Sequence, residues 1–421
     1  MVVYKFGGAS IKDIEGIRNL AGIVSKSDPG LVVVVSALGK TTNALEEVAR
    51  ISAGKKGNIE DAIGGIWNYH VEITRGLFPS DSIVSDFMRD SFAWLKEFAS
   101  NPKSKNYDYI YDQVVSLGEI WSTKIVDEYL RLSGIRSRWI DMRETLITDD
   151  RYTDANILWA ESERRIRYAV QSPGVDVWVM QGFIGGTVSG HSTTLGREGS
   201  DYTAGVVANM LDAERVDIWK DVPGILNADP GWMNDAIKLD NISYKEAVEM
   251  SFSGAKVIHP KTIKPLQNKS IPLFVRSFVL PELEGTVISS NISSKQSVPV
   301  FVRKENQVLI SLLPVDFSFV MGENLGKIFH LFYRHGIKTN LVQASAVSIA
   351  VCVDNDFDRI EKLTIDLKDE FRILYNENVE MISLRYYTDE AVRKVTSGKN
   401  VLLEQRTRKA IRFVLKDEEV N

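Results

Sequence analysis

The sequence predicts an α/β protein in which a mostly parallel sheet is sandwiched by helices and followed by smaller α+β modules. Through the first two thirds of the 421 residues, the β-branched runs "VVYKF", "LVVVVSA", "VDVWVMQGFIG" and "VDIWK" alternate with helical patterns. That order is what a parallel sheet with crossover helices requires. In addition, "LVVVVSA" is apolar at successive positions, as in a central strand buried on both faces. Beyond residue 300 the pattern changes to βαββ and then a helix, followed by a weaker second round.

Taken in order, "VVYKF" is the first strand and "LVVVVSA" the second. Residues 59 to 100 read as a helical insertion, with Ile66, Trp67, His70 and Ile73 at helical spacing. The Ser-rich, aperiodic stretch "NISSKQSVPV" at 291 to 300 reads as a linker. After it come the strand "NQVLISLL", a helix over Asn324 to Tyr333, the strands "KTNLVQA" and "VSIAVCVD", and a helix near 357 to 370. The strands "VEMISLRYY", "NVLLEQ" and "AIRFVL" with one short helix make the second round. Two consecutive α+β modules are the simplest organisation, the second of them truncated.

Composition narrows the partners. A net charge of -5 with mixed signs leaves no basic footprint for nucleic acid or an anionic membrane. No apolar run reaches the ~20 residues of a bilayer span, and the start "MVVYKFGGAS" lacks signal-peptide features, so a cytoplasmic protein is expected. Cys352 is the only cysteine, which excludes an intrachain disulfide or a CxxC site, and five scattered histidines argue against zinc.

Chemistry concentrates at strand ends. Lys5, Gly7 and Gly8 directly follow the first strand, where glycine lets backbone N–H groups approach an anion and lysine adds a point charge. A tight turn with a solvated lysine fits the same residues, and there is no GxxxxGK[ST] motif. Ser36 ends the second strand; Ser10, Ser36, Thr41 and Thr42 are candidate hydroxyl contacts or helix caps. Glu119 follows Gly118 in the first turn of a helix, a position that favours a carboxylate even without a ligand. "WVMQGFIGGTVSGHSTTLGREGSD" carries six glycines and a string of hydroxyl residues before a helix near Tyr202, the composition of a ligand-cradling loop.

The runs "KFGGAS", "VVVVSALGKTTN", Gly118-Glu119, "QGFIG", "TTLGREGSD", "DVPGI" and "GAKVIHP" occur in the order and approximate spacing of the aspartate kinases, which this chain resembles. "GKIFHLFYRHGI" and "VLLEQRTR" resemble their ACT regulatory modules. The resemblance implies an amino-acid kinase catalytic domain over residues 1-290 and a tandem, ferredoxin-like ACT region over 301-421. It also implies transfer of phosphate from ATP, with Mg2+, to the β-carboxylate of L-aspartate, the first step toward lysine, threonine and methionine. Lys5, Gly8 and Asp201 would be catalytic. Ser36, Thr41, Glu119, Arg197 and Ser200 would bind substrate, the Arg197 fork taking a carboxylate and Glu119 the ammonium. Lys5, Gly7, Gly8, Ser10, Lys220, Asp221 and Lys256 would hold the nucleotide. The β-carboxylate, with a reference pKa of roughly 4, needs no general base.

Some positions depart from the family. Leu226, Asn227, Ala228 and Gly231 replace a tyrosine, hydroxyl residues and an arginine after "DVPGI"; Lys220 replaces a threonine, and Glu198 a small residue. Asn340 stands where lysine-sensing relatives carry an aspartate, and Ala344, Ser345 and Ala346 stand where they carry a Thr-Ser-Glu run; with both carboxylates gone, weak or absent lysine inhibition is expected. Met321, Gly322, Asn324, Asn340 and Gln343 are candidates to line a small pocket for threonine or another effector; the alternative is an ACT pair retained purely as a dimerisation surface. A homodimer paired through ACT edge strands is expected. The chain ends soon after "VLLEQRTRKAIRFVLKDEEV", leaving no room for a fused dehydrogenase. The alternatives are a kinase for another carboxylate amino acid, or a catalytically silent amino-acid sensor.

Overall fold

The computed structural model describes residues 1–79, 83–255, 258–290, 298–316, 318–320 and 322–418. Contacts divide it into two compact units, the first comprising Met1–Ile225, Lys238–Val248 and Ile258–Ile292. Its chain opens with β1 (Val2–Phe6), α1 (Ile14–Val24), β2 (Leu31–Val35) and α2 (Thr41–Ser52). The Asp13 carboxylate caps α1 by accepting from Gly16 N, which fixes where the turn after β1 ends.

The insertion expected at 59 to 100 is two helices, α3 (Ile59–Leu77) and α4 (Ile83–Ser100). Ile66, His70 and Ile73 form its buried face. The His70 ring packs beside Trp121 and Phe92, and its Nδ1 bonds to Ile66 O at 2.8 Å. Burial pushes that imidazole down to about 4, so His70 is a neutral core residue near pH 7.

Next come α5 (Tyr107–Val115), α6 (Leu117–Leu132), β3 (Ser137–Ile140), α7 (Met142–Thr145), β4 (Ile147–Thr148) and α8 (Trp159–Ala169). The glycine-rich region supplies β5 (Val177–Gln181), β6 (Ile184–Thr187) and β7 (Ser192–Thr194), then α9 (Gly199–Met210) and β8 (Arg215–Lys220). β9 (Asn241–Ser243), α10 (Tyr244–Ser253), α11 (Pro260–Asn268), β10 (Leu273–Ser277) and β11 (Thr286–Ser289) follow.

The main sheet has the order β3-β5-β2-β1-β8-β10-β11-β9 and is parallel except between β10 and β11. Every residue of β2 and β5 is buried, as the unbroken apolar run "LVVVV" requires of a strand covered on both sides. One helix group is α9 with α8 and α11; α1 and α6 form another. Because β1, β2, β5 and β8 are parallel, their carboxyl ends open at one edge, where such sheets bind ligands. A three-stranded sheet, β4-β6-β7, lies apart from the main one and carries the chain into the "LGREGSD" loop.

The second unit comprises Leu226–Ile237, Glu249–Val257 and Ser293–Asn421. Its elements are β12 (Val300–Pro314), α12 (Glu323–Arg334), β13 (Thr339–Ala344), β14 (Ile349–Asp354), α13 (Phe357–Leu367), β15 (Phe371–Arg385), α14 (Asp389–Thr396), β16 (Lys399–Arg406) and β17 (Ala410–Asp417). They form one antiparallel sheet, β13-β14-β12-β15-β17-β16. The two expected modules are present but not laid end to end. β12 and β15 are long strands broken by a bulge near Lys304 to Leu309, and each serves both modules. Gln307 to Pro314 joins the first module with β13, β14 and the start of β15. Val300 to Lys304 pairs with the end of β15 and so completes the second module, which lacks a last strand of its own. Cys352 is buried in β14, as its alternating strand implied.

Candidate active site

A cavity of about 830 Å³ opens at the carboxyl ends of β1, β2, β5 and β8. The turn after β1 supplies Gly7, Gly8 and Ser10, the end of β2 supplies Ser36, and the end of β8 supplies Lys220 and Asp221. Glycine is required at position 8, since a β-carbon there would lie 2.4 Å from Ala37 O. The turns after β1 and β2 are also joined by Gly39 N donating to Gly8 O at 3.0 Å.

Lys5, near the end of β1, is 8% exposed, and its Nζ lies 2.6 Å from Asp201 Oδ1. Asp201 sits in the first turn of α9, and its other oxygen is 3.8 Å from Lys220 Nζ. Burial alone would raise the Asp201 carboxyl, but the two ammonium groups outweigh it and hold the group below its ordinary value. Asp201 is therefore an ionised hinge between two lysines.

Glu119, in the first turn of α6, is 2% exposed. Its Oε1 accepts from Ala37 N at 3.2 Å, while Oε2 is buried with no hydrogen-bond partner. Desolvation pushes this carboxyl up to about 8. A buried carboxylate on the cavity wall, with one oxygen lacking a partner among the described residues, is matched to a cationic ligand. Arg197 lines the same cavity, is exposed, and makes no ion pair among the described residues.

The loop carrying Arg197 is pinned from several sides. Lys261 Nζ donates to Leu195 O at 2.9 Å and Asp154 Oδ1 at 2.8 Å. His259 N donates to Glu198 Oε2, and the His259 ring caps α11 through Lys261 N. Glu198 thus has a partner on the protein. Gly196 and Glu198 have φ of 75° and 54°, so the loop bends through left-handed backbone on either side of Arg197. Ser200 lies against Gly182, where a β-carbon would be 2.5 Å from the serine's own.

Of the expected site residues, Lys5, Gly7, Gly8, Ser10, Ser36, Glu119, Arg197, Ser200, Asp201, Lys220 and Asp221 line this one cavity. Thr41 does not: it is buried, and its hydroxyl donates to Leu38 O at 2.7 Å, closing the turn that starts α2. Its neighbours Thr42 and Asn43 face the cavity instead. Lys256 and Met321 lie outside the described residues. Of the effector candidates, Gly322 begins α12, Asn324 donates to Ser318 Oγ and Phe319 O, and Gln343 is exposed. The Asn340 amide donates to Gln307 and Asp354 and accepts from Lys304. Asn324 and Asn340 thus spend their amides within the protein.

Leu226, Asn227 and Gly231 do not line the cavity. Asn227 pairs with Ile237 through backbone and side chain, and its Nδ2 donates to Pro299 O, which makes it a staple of the second unit. The cavity also contains residues that motif reasoning did not single out: Glu46, Tyr107, Tyr111, Thr153, Phe183 and Trp219. Tyr107 and Tyr111, four apart on α5, share a helical face that the sequence displays. Thr153 and Phe183 have φ of 70° and 67°, which no local sequence rule assigns to a β-branched or aromatic residue.

The model of the amino acid kinase family matches residues 1–277, and the chain belongs to that family. Within it, the chain is similar to the aspartokinases. It is 32% identical over 394 residues to lysine-sensitive aspartokinase 3 of Escherichia coli, covering 91% of this chain and 86% of that protein. It is 30% identical over 368 residues to chloroplastic aspartokinase 1 of Arabidopsis thaliana, covering 84% of this chain but only 63% of that longer protein. The solved structure of E. coli aspartokinase III with aspartate and ADP superposes with a TM-score of 0.81 at 30% identity, covering 100% of this chain and 97% of the other.

Proposed function

We propose that this protein is an aspartokinase, transferring the γ-phosphoryl group of ATP to the β-carboxylate of L-aspartate. The observation that carries this reading is the pairing, on one cavity, of a buried carboxylate and an arginine that makes no ion pair among the described residues, opposite in charge to the two ends of an amino acid. Arg197 takes the α-carboxylate as a bidentate fork and Glu119 takes the α-ammonium. The substrate's side-chain carboxylate is then free to reach the nucleotide.

Lys5, Lys220 and the N–H groups of Gly7 and Gly8 hold the phosphates, and Asp201 keeps the lysines aimed. A β-carboxylate oxygen attacks the γ-phosphorus as the bond to the β,γ-bridging oxygen breaks, and ADP leaves. The nucleophile is already ionised, so no proton is abstracted. Catalysis rests on positioning and on positive potential where charge develops. Asp221, a cavity carboxylate next to Lys220 in the chain, would help hold an Mg2+ brought with the nucleotide, and the ion would neutralise phosphate charge.

The exposed outer strands β13 and β16 are the surfaces for a homodimer, and the protein works in the cytoplasm. Hydroxylamine trapping of the acyl phosphate tests the activity, with ATP, Mg2+ and aspartate, glutamate or N-acetylglutamate offered in turn. Product from aspartate alone supports the reading; product from N-acetylglutamate, which has no ammonium for Glu119, overturns it.

A further inference from the structure

Asp112 on α5 is 0% exposed and belongs to none of the groups assigned to substrate or nucleotide. Its carboxylate takes three donors: Thr194 N at 2.9 Å, Thr194 Oγ1 at 2.7 Å and Thr153 N at 3.0 Å. The next residue, Gln113, donates to Ser192 O at 2.9 Å and accepts from Ser192 N at 3.1 Å. Two consecutive helical side chains thereby occupy the free edge of β7, whose other edge pairs with β6. Ala155 N completes that edge by donating to Thr194 O.

This edge matters because β7 leads directly into the loop that carries Arg197 and on to Asp201 in the first turn of α9, and because Thr153 lines the cavity. Thr153 is β-branched and has a φ of 70°, a conformation that persists only where surrounding contacts impose it. The Asp112 contact to Thr153 N is one of those impositions. The Lys261 bridge between Asp154 and Leu195 O ties the same two segments together farther along.

We infer that Asp112 is a positioning residue, a buried clamp that sets Thr153 and the 195–201 loop at the height the amino-acid substrate needs. The inference rests on the reading that this cavity binds aspartate. An alanine at 112 removes both acceptor oxygens and leaves Thr153 N, Thr194 N and Thr194 Oγ1 without them, so the clamp opens.

The test is Asp112→Ala alone and combined with Thr153→Gly, which tolerates positive φ. The single variant should raise KM for aspartate about tenfold or more while KM for ATP stays within about twofold. Amide hydrogen exchange over 153–155 and 192–201 should accelerate. Because glycine is relaxed at φ 70°, the double variant should recover much of the lost aspartate affinity. Thr194→Val, isosteric and lacking the hydroxyl donor, should raise KM for aspartate by about threefold or more and serves if Asp112→Ala does not fold. Unchanged exchange in these segments, an unchanged KM, or both KM values rising together would overturn the clamp. If the wild type fails to phosphorylate aspartate, the functional reading falls, while the exchange measurement still decides the clamp.

Discussion

Glu119 concentrates the residue-scale physics of the site. A carboxyl raised from 4.5 to about 8 by burial favours the folded state only while protonated. The ligand-free protein should therefore lose stability as pH climbs from about 4.5 toward 8, by on the order of 5 kcal/mol at full extent. Two consequences can be measured. Glu119→Gln should raise the ligand-free melting temperature at pH 8 while weakening aspartate binding by about 30-fold or more, since the ammonium loses its counter-charge. Aspartate binding near pH 7 should also release a proton, seen as a buffer-dependent heat in titration calorimetry; equal heats in buffers of different ionisation enthalpy would refute it. Lys5 carries a different load. Its removal by Lys5→Ala should lower kcat by about 100- to 1,000-fold, because the positive charge acts where phosphoryl charge develops; a steady-state assay under saturating substrates reads this directly.

At the scale of elements, the turn from β1 to α1 is built so that two backbones nearly touch. The space between Gly8 and Ala37 O has no room for a methyl group. Gly8→Ala should push the β1 turn away from the β2 turn and cut kcat/KM by about 100-fold or more. Far-UV circular dichroism should stay unchanged, because the strands themselves are intact; a variant with wild-type kcat/KM would show that the close approach is not used. The glycine signal at this turn was legible in "KFGG", as was the cradle in "TTLGREGSD". Thr41 was misplaced by proximity: adjacent residues of a helix point about 100° apart, so Thr42 faces the cavity while Thr41 closes its own turn.

For the molecule as a whole, the chain passes between its two compact units five times, which a boundary between 290 and 301 does not capture. Ala228 and Met233, numbered within the catalytic stretch, belong to a core with Phe301, Ile382, Leu384 and Phe413. A fragment ending at residue 292 would lose that core, and it should unfold or aggregate at temperatures where the full chain is monodisperse by light scattering. Regulation belongs to this scale too. Asn340 stands where a counter-charge for a cationic effector is expected in lysine-sensing relatives, and its amide is engaged by Gln307, Asp354 and Lys304. Lysine should thus inhibit at least about 100-fold more weakly than where the carboxylate is kept. Half-inhibition at micromolar lysine would contradict this.

The sequence by itself determined the parallel α/β sheet, the helical insertion, the family, and the charges that gather at the strand ends. These are carried by local period, composition and motif spacing, which survive in one dimension. Tertiary structure alone decided that β12 and β15 each serve both modules, that Asn227 staples the second unit, and that Asp112 reaches across to Thr153 and Thr194. Those features depend on which backbone groups are left unpaired once strands have met. The partner that satisfies a buried donor is chosen by proximity in space, and residues 41 and 82 positions away leave no mark on the local pattern around Asp112.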